Sequence, residues 1–246
     1  YTRELERQPF FDRILFWQII VIAVPSIMQQ SVLSVGNLFV QEIVNRYGSA
    51  VVAGYSGAIK LNTFAINTFM TLGSCLSSYT AQNLGAGNHD RIRKGALQSL
   101  VMVSLLAAMA VGIGLLLTLG NAYLRIFLSA DKITMDTVRY GNTFLYVDYA
   151  MYLFLGFIFV VRNCIQGIGR SRFVLGAGAA ELVARIAVCL TLPAAVAGGV
   201  VSAQANPLAF YALCAADPMA WIAADIVLAI PFFRNILRRD YRYMNI

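Results

Sequence analysis

At 246 residues, 59% hydrophobic and 13% charged, this chain is too apolar for a soluble domain of its size. Its net charge of +7 would suit nucleic acid, but the cations stand at the ends of apolar runs, where anionic lipid headgroups account for them more simply. One membrane domain is expected, with lipid and not nucleic acid as its surroundings.

The amphipathic stretch Tyr1 to Arg13 leads directly into a full-length apolar run, so no secretory signal is visible. The chain opens on tyrosine, which suggests a fragment or processed product. Uncharged runs cover Ile14 to Gln41, Leu61 to Asn88 and Gly95 to Leu124, each longer than the roughly 20 residues a helix needs to cross a bilayer. Three weaker spans carry ionisable residues: about Tyr140 to Val161 with Asp148, about Phe173 to Val196 with Glu181 and Arg185, and about Pro218 to Phe233 with Asp225. The fold class is therefore an all-α integral membrane bundle of six spans, with 1–13 as an amphipathic connector, 14–236 as the lobe and 237–246 as a basic tail.

Alternate numbering of the faces puts Arg3, Arg7, Arg13, Arg91, Arg93, Lys94, Arg162, Arg170, Arg172, Arg234, Arg238, Arg239 and Arg242 on one side. Only Arg46, Arg125, Lys132 and Arg139 fall on the other. The positive-inside rule then places both termini in the cytoplasm. A bacterial plasma membrane is the expected location.

In the first span Gln30, Ser34, Asn37 and Gln41 step by four, three and four, and so share one helical face. Buried amides need partners, so this stripe faces either other helices, as interhelical glue, or a watery cavity. The second span continues the theme with Lys60, Asn62, Thr63, Asn67, Thr68 and Thr71. Lys60 stands where its amine reaches either the outer interface or a cavity. The span closes at Gln82 to Asn88, where Gly85 or Gly87 takes a left-handed cap and Asn88 caps the next helix. No phosphate-loop motif is present there.

The third span is almost wholly aliphatic and reads as lipid-facing scaffold. Asn121 to Thr134 forms an outer loop. The fourth span carries Asp148 among Tyr146, Tyr149 and Tyr152, and ends in the glycine-stopped turn Arg162 to Ser171. In the fifth, Glu181 precedes Arg185 by four residues, the favoured order for a helical ion pair. Asp217 and Pro218 read as N-cap and first turn of the last span, with an earlier start near Pro207 as the alternative. Cys75, Cys164, Cys189 and Cys214 are dispersed apolar fillers without metal or disulfide spacing, and His89 reads as solvated surface.

Several segments, in order, resemble one family: the multidrug and toxic compound extrusion transporters, in their second six-helix half. They are Pro25 to Gln30 with Gly36 and Asn37, then Gly54, Tyr55 and Lys60, then Ala81 to Gly87. The series continues with Gln166 to Ser171, Glu181 with Arg185, and Pro218 to Trp221. The resemblance implies one lobe of a twelve-helix, pseudo-twofold transporter that exports organic, often cationic, compounds by alternating access. Exchange is against protons or sodium ions, with no tightly bound cofactor. A missing amino-terminal lobe or a second copy would complete it.

Coupling needs a membrane carboxylate whose charge differs between the two states of the cycle. Asp148 is the first candidate and Asp225 the second; the bland alternative for Asp148 is a solvated carboxylate near the outer interface, or one paired with Arg139. The acids that the sodium-coupled branch resembles having, near the Gln-Gly turn and inside the first span, have no counterpart here. Expected cavity residues are Gln30, Ser34, Asn37, Lys60, Asn62, Asn67, Tyr149 and Tyr152, with Glu181 and Arg185 as a structural pair. Two competing functions are a lipid-linked oligosaccharide flippase, which would want several cavity cations, and a structural membrane fragment. No catalytic constellation supports an enzyme.

Overall fold

The computed structural model describes residues 11–198 and 207–237, and every regular element among them is helical. Helix α1 spans Arg13–Asn45, α2 spans Ser49–Gly85 and α3 spans His89–Leu119. Short α4, Ala122–Phe127, and a 3-10 turn at Ala130–Lys132 occupy the expected outer loop, before α5 at Met135–Gly167 and α6 at Ser171–Ala197. Helix α7, Pro207–Cys214, meets α8, Ala216–Phe232, at Ala215, and a π turn at Phe233–Leu237 follows. The connector expected at 1–13 and the tail expected at 237–246 fall almost wholly outside the described residues.

Among the described residues, five stretches are long and apolar enough to cross a bilayer: α1, α3, α5, α6 and the run Pro207–Leu237. Helix α2 has the length, at 37 residues, but not the apolarity, although its uncharged run was expected to be one of the strongest spans. Lack of charge is not greasiness. Its hydroxyls turn back on their own helix: Thr63 donates to the Ile59 carbonyl at 2.8 Å, Thr71 to Asn67 at 2.8 Å and Ser74 to Met70 at 3.0 Å. Polar groups satisfied within one helix make no demand on lipid for hydrogen bonds.

Two turns at one end of the bundle share a construction. After α2, Gly87 adopts φ +69°, its N–H donates to Leu84 O, and the Asn88 N–H donates to Asn83 O at 2.8 Å. After α5, Gly169 adopts φ +77°, with Gly169 N–H to Gln166 O and Arg170 N–H to Ile165 O at 3.2 Å. Both are Schellman closures, which need a residue without Cβ strain at the left-handed position. Asn88 does sit at the N-cap position of α3, but its side chain makes no capping bond. Its backbone does the work of ending α2 instead.

The frame is the α2–α5 seam, with α3 packed against both. A Cβ on Gly54 would strike the Thr137 carbonyl and approach the Gly141 N to 3.0 Å, while a Cβ on Gly167 would lie 2.6 Å from the Ser77 carbonyl. Small residues let backbones close up where no hydrophobic force drives helices together. Gly54→Ala is accordingly expected to destabilise the chain by about 1–3 kcal/mol through overpacking. Gly112→Ala, which meets nothing within 4 Å, should leave stability unchanged or slightly raised. Thermal unfolding of the two variants in detergent checks the contrast.

Helix α1 packs on α6 and touches α2 only slightly, so its apolar stretch is just 11% buried. The last span begins at Pro207, the earlier of the two expected starts, and Asp217 lies inside α8, whose N-cap is Ala215. Asp217 therefore does not serve as the expected N-cap; a charged partner claims it.

Candidate functional site

Because α1 leans on α6 and away from α2, a crevice of about 650 Å³ opens between them, floored by α5, α6 and α8. Gln30, Ser34, Asn37 and Gln41 all line it, which places the whole four-three-four stripe of α1 on one wall. Tyr55, Asn62 and Thr63 from α2 form the facing wall. The polar stripe thus borders the hollow, and Asn37 also makes one interhelical bond.

The floor is charged. Arg162 donates to Glu181 Oε2 at 2.7 Å, and Arg185 lies 3.7 Å from Glu181 Oε1 and 2.9 Å from Asp217 Oδ1. Arg185 Nη1 also donates to Asn37 Oδ1 at 2.6 Å, tying α6 to α1. Gly36 makes room for this, since a Cβ there would press on Arg185 and Leu182 at 3.2–3.4 Å. The expected Glu181–Arg185 pair is therefore the longest contact of a four-member network with two cations and two anions. Arg162, counted from sequence with the cations of the cytoplasmic face, is 7% exposed and sits inside α5.

Behind the α2 wall lies Asp148, fully buried at 0% exposure. Its Oδ2 accepts a short hydrogen bond from Asn62 Nδ2, and Tyr152 donates to Asn62 Oδ1 at 2.8 Å. Asp148 Oδ1 has no partner among the described residues. The outer-interface alternatives do not hold. Asp148 is not solvated, and Arg139 instead donates to the Tyr211 hydroxyl at 2.8 Å.

Other expected cavity residues lie elsewhere. Lys60 is exposed and sits with its Nζ 5.7 Å from the Phe127 ring, outside the crevice. Asn67 is exposed on α2 and does not line the crevice, although its neighbours Thr63, Ile66 and Met70 do. Tyr149 and Tyr152 border a separate hollow of about 160 Å³ between α2, α3 and α5. Burial explains the tyrosines: the Tyr149 hydroxyl lies 3.1 Å from Thr118 Oγ1, and Gly114 leaves it room. Asp225 does not line the crevice either; its Oδ2 is buried without a hydrogen bond, with Arg162 and Glu181 as charged neighbours. Sequence reasoning missed Arg162, Asp217, Tyr55 and Trp221 as crevice residues. An acid beside proline at a span's start was a usable signal for Asp217, but capping explained it locally.

The MatE family model matches residues 25–191, a stretch holding α2, α3, α5 and most of α1 and α6. The chain belongs to the MatE family. This is a transporter family, and the MatE chain is similar to a probable multidrug resistance protein, YpnP, of Bacillus subtilis (strain 168). Identity is 27% over 157 residues, covering 64% of this chain and 34% of YpnP. Among solved structures it resembles a MATE protein in complex with MaD3S, with TM-score 0.74 and 16% identity over 91% of this chain and 46% of that one. An outward-facing multidrug resistance MATE family transporter matches with TM-score 0.72 at 16% identity, over 91% and 45%. A MOP superfamily transporter from Pyrococcus furiosus matches with TM-score 0.70 at 15% identity, over the same shares. This MatE chain thus spans about a third of its curated relative and under half of each solved structure.

Proposed function

We propose that this MatE chain is the carboxy-terminal lobe of a secondary multidrug antiporter, exporting organic, often cationic, compounds in exchange for protons or sodium ions by alternating access. The observation that carries the reading is the crevice itself: a membrane helix presents its entire polar stripe to an open hollow, opposite Asn62, with a buried carboxyl one hydrogen bond behind that wall. Amides and hydroxyls there orient a ligand without fixing its charge. One lobe supplies one side of such a hollow, so a partner lobe, or a second copy, closes it. In this reading both termini face the cytoplasm of a bacterial cell, an orientation supported by the excess of Arg and Lys on one face of the spans.

Asp148 and, secondarily, Asp225 are the coupling groups in this reading. A carboxyl held away from water either keeps its charge inside the membrane or gives it up by binding an ion, and that difference is what coupling uses. The flippase alternative draws less support. Arg162 and Arg185 are the two cations on the floor, and Glu181 and Asp217 already neutralise them.

In proteoliposomes holding the lobe with its partner, an imposed proton or sodium gradient is expected to drive efflux of a cationic dye. Efflux that ignores both gradients overturns the antiport reading.

A further inference from the structure

A second hollow, of about 670 Å³, lies at the other feature of the bundle that the transport reading leaves unused, its basic end. It is bounded by the α5–α6 turn, Val21 and Pro25 in the first half of α1, and the end of α8 with the π turn that follows. Arg170, Arg172 and Arg234 line it, and no acid does among the described residues. Helix α6, 27 residues long, starts here with Arg170 at its N-cap position and no side chain capping it. Its first amides and positive dipole end therefore stand at a cluster of cations.

Ser171 gives an independent indication. It lines the hollow at 3% exposure, yet its Oγ has no hydrogen-bond partner among the described residues. A buried hydroxyl left unsatisfied costs about 1–3 kcal/mol, so a site that keeps one calls for a ligand atom. The Arg172 and Arg234 guanidiniums, helix amides and a hydroxyl converging with no carboxylate among the described lining residues are the donor set of a phosphate ester.

The remaining wall decides the source. Val21 and Pro25 of α1, Phe173, Ile230 and Pro231 add an apolar flank, and Arg172 lies over the Phe173 ring at 5.1 Å. Val21 is 67% exposed, on the helix that is least covered by protein. Free phosphate has no use for such a flank, whereas a glycerophospholipid fits both halves. We infer that the hollow bounded by Arg170, Ser171, Arg172 and Arg234 binds the phosphate of an anionic phospholipid, with the glycerol and upper acyl chain against α1 and α8. Under the orientation proposed above, this site faces the cytoplasmic leaflet, where basic pockets between helices meet anionic headgroups.

The test is native mass spectrometry of the full chain released from micelles doped with equal phosphatidylglycerol and phosphatidylcholine, with a parallel arm in inorganic phosphate. The wild type should retain phosphatidylglycerol preferentially, and R172Q/R234Q should lower that preference roughly fivefold for each arginine removed. S171A is a milder variant that keeps every charge and should weaken retention while leaving the lipid-free thermal midpoint unchanged or raised, since it removes an unsatisfied buried hydroxyl. Equal retention of the two lipids, unchanged preference in R172Q/R234Q, or thermal stabilisation by inorganic phosphate with none by phosphatidylglycerol each overturns the proposal. None of these outcomes bears on dye efflux, so this site and the transport reading fail separately.

Discussion

Replacing Glu181 by alanine is expected to lower the unfolding free energy of the chain in detergent by about 3–5 kcal/mol, the cost of stripping a buried ion pair of one partner. Glu181 reaches two guanidiniums at once, Arg162 at 2.7 Å and Arg185 at 3.7 Å, and all three side chains are under 10% exposed. Without it, Arg185 keeps Asp217 at 2.9 Å and Asn37 at 2.6 Å, but Arg162 has no other ion pair among the described residues. The loss should therefore fall mainly on Arg162. Removing that charge as well, in the double variant Glu181→Ala with Arg162→Met, should recover much of the stability, because a neutral pair leaves no orphan charge. Equilibrium unfolding in mixed micelles measures all corners of the cycle. A double variant as unstable as the sum of its parts would show that the network is not held by mutual neutralisation.

Why some of this was readable in the sequence follows from how far each signal travels along the chain. The stripe at Gln30, Ser34, Asn37 and Gln41 depends only on the 3.6-residue period of one helix, and all four residues line the crevice. The glycine-stopped turns are equally local, and Gly87 and Gly169 adopt the left-handed conformation such turns need. The Glu181–Arg185 pair was visible for the same reason, but its dominant partners are 19 residues back and 32 residues forward, at Arg162 and Asp217. No periodicity reports a contact between α5, α6 and α8. Lys60 and Asn67 were misassigned to the cavity because polarity alone does not say which side of a helix faces it. The crevice edge at Thr63, Ile66 and Met70 settles that in three dimensions. Tyr149 and Tyr152 were drawn to the cavity by their nearness to Asp148 in sequence, yet they line a separate hollow on the α2–α3–α5 side.

Asparagine in place of Asp148 should separate coupling from structure. The amide is nearly isosteric, its oxygen can still accept from Asn62 Nδ2, and the Tyr152–Asn62 bond at 2.8 Å is untouched, so the fold should survive. What the amide cannot do is differ in charge between two states of a cycle. Gradient-driven export by the lobe with its partner should then fall by roughly 5- to 150-fold, the range spanned by a typical coupling free energy. Substrate counterflow, which needs binding and alternating access but no coupling ion, should persist. Loss of both activities together would mean that the Asp148–Asn62 bond matters as a brace between α5 and α2. Full gradient-driven export in Asp148→Asn would remove Asp148 from coupling altogether. Attention would then pass to Asp225, a half-buried carboxyl whose Oδ2 is likewise buried without a hydrogen bond and which has Arg162 and Glu181 as charged neighbours.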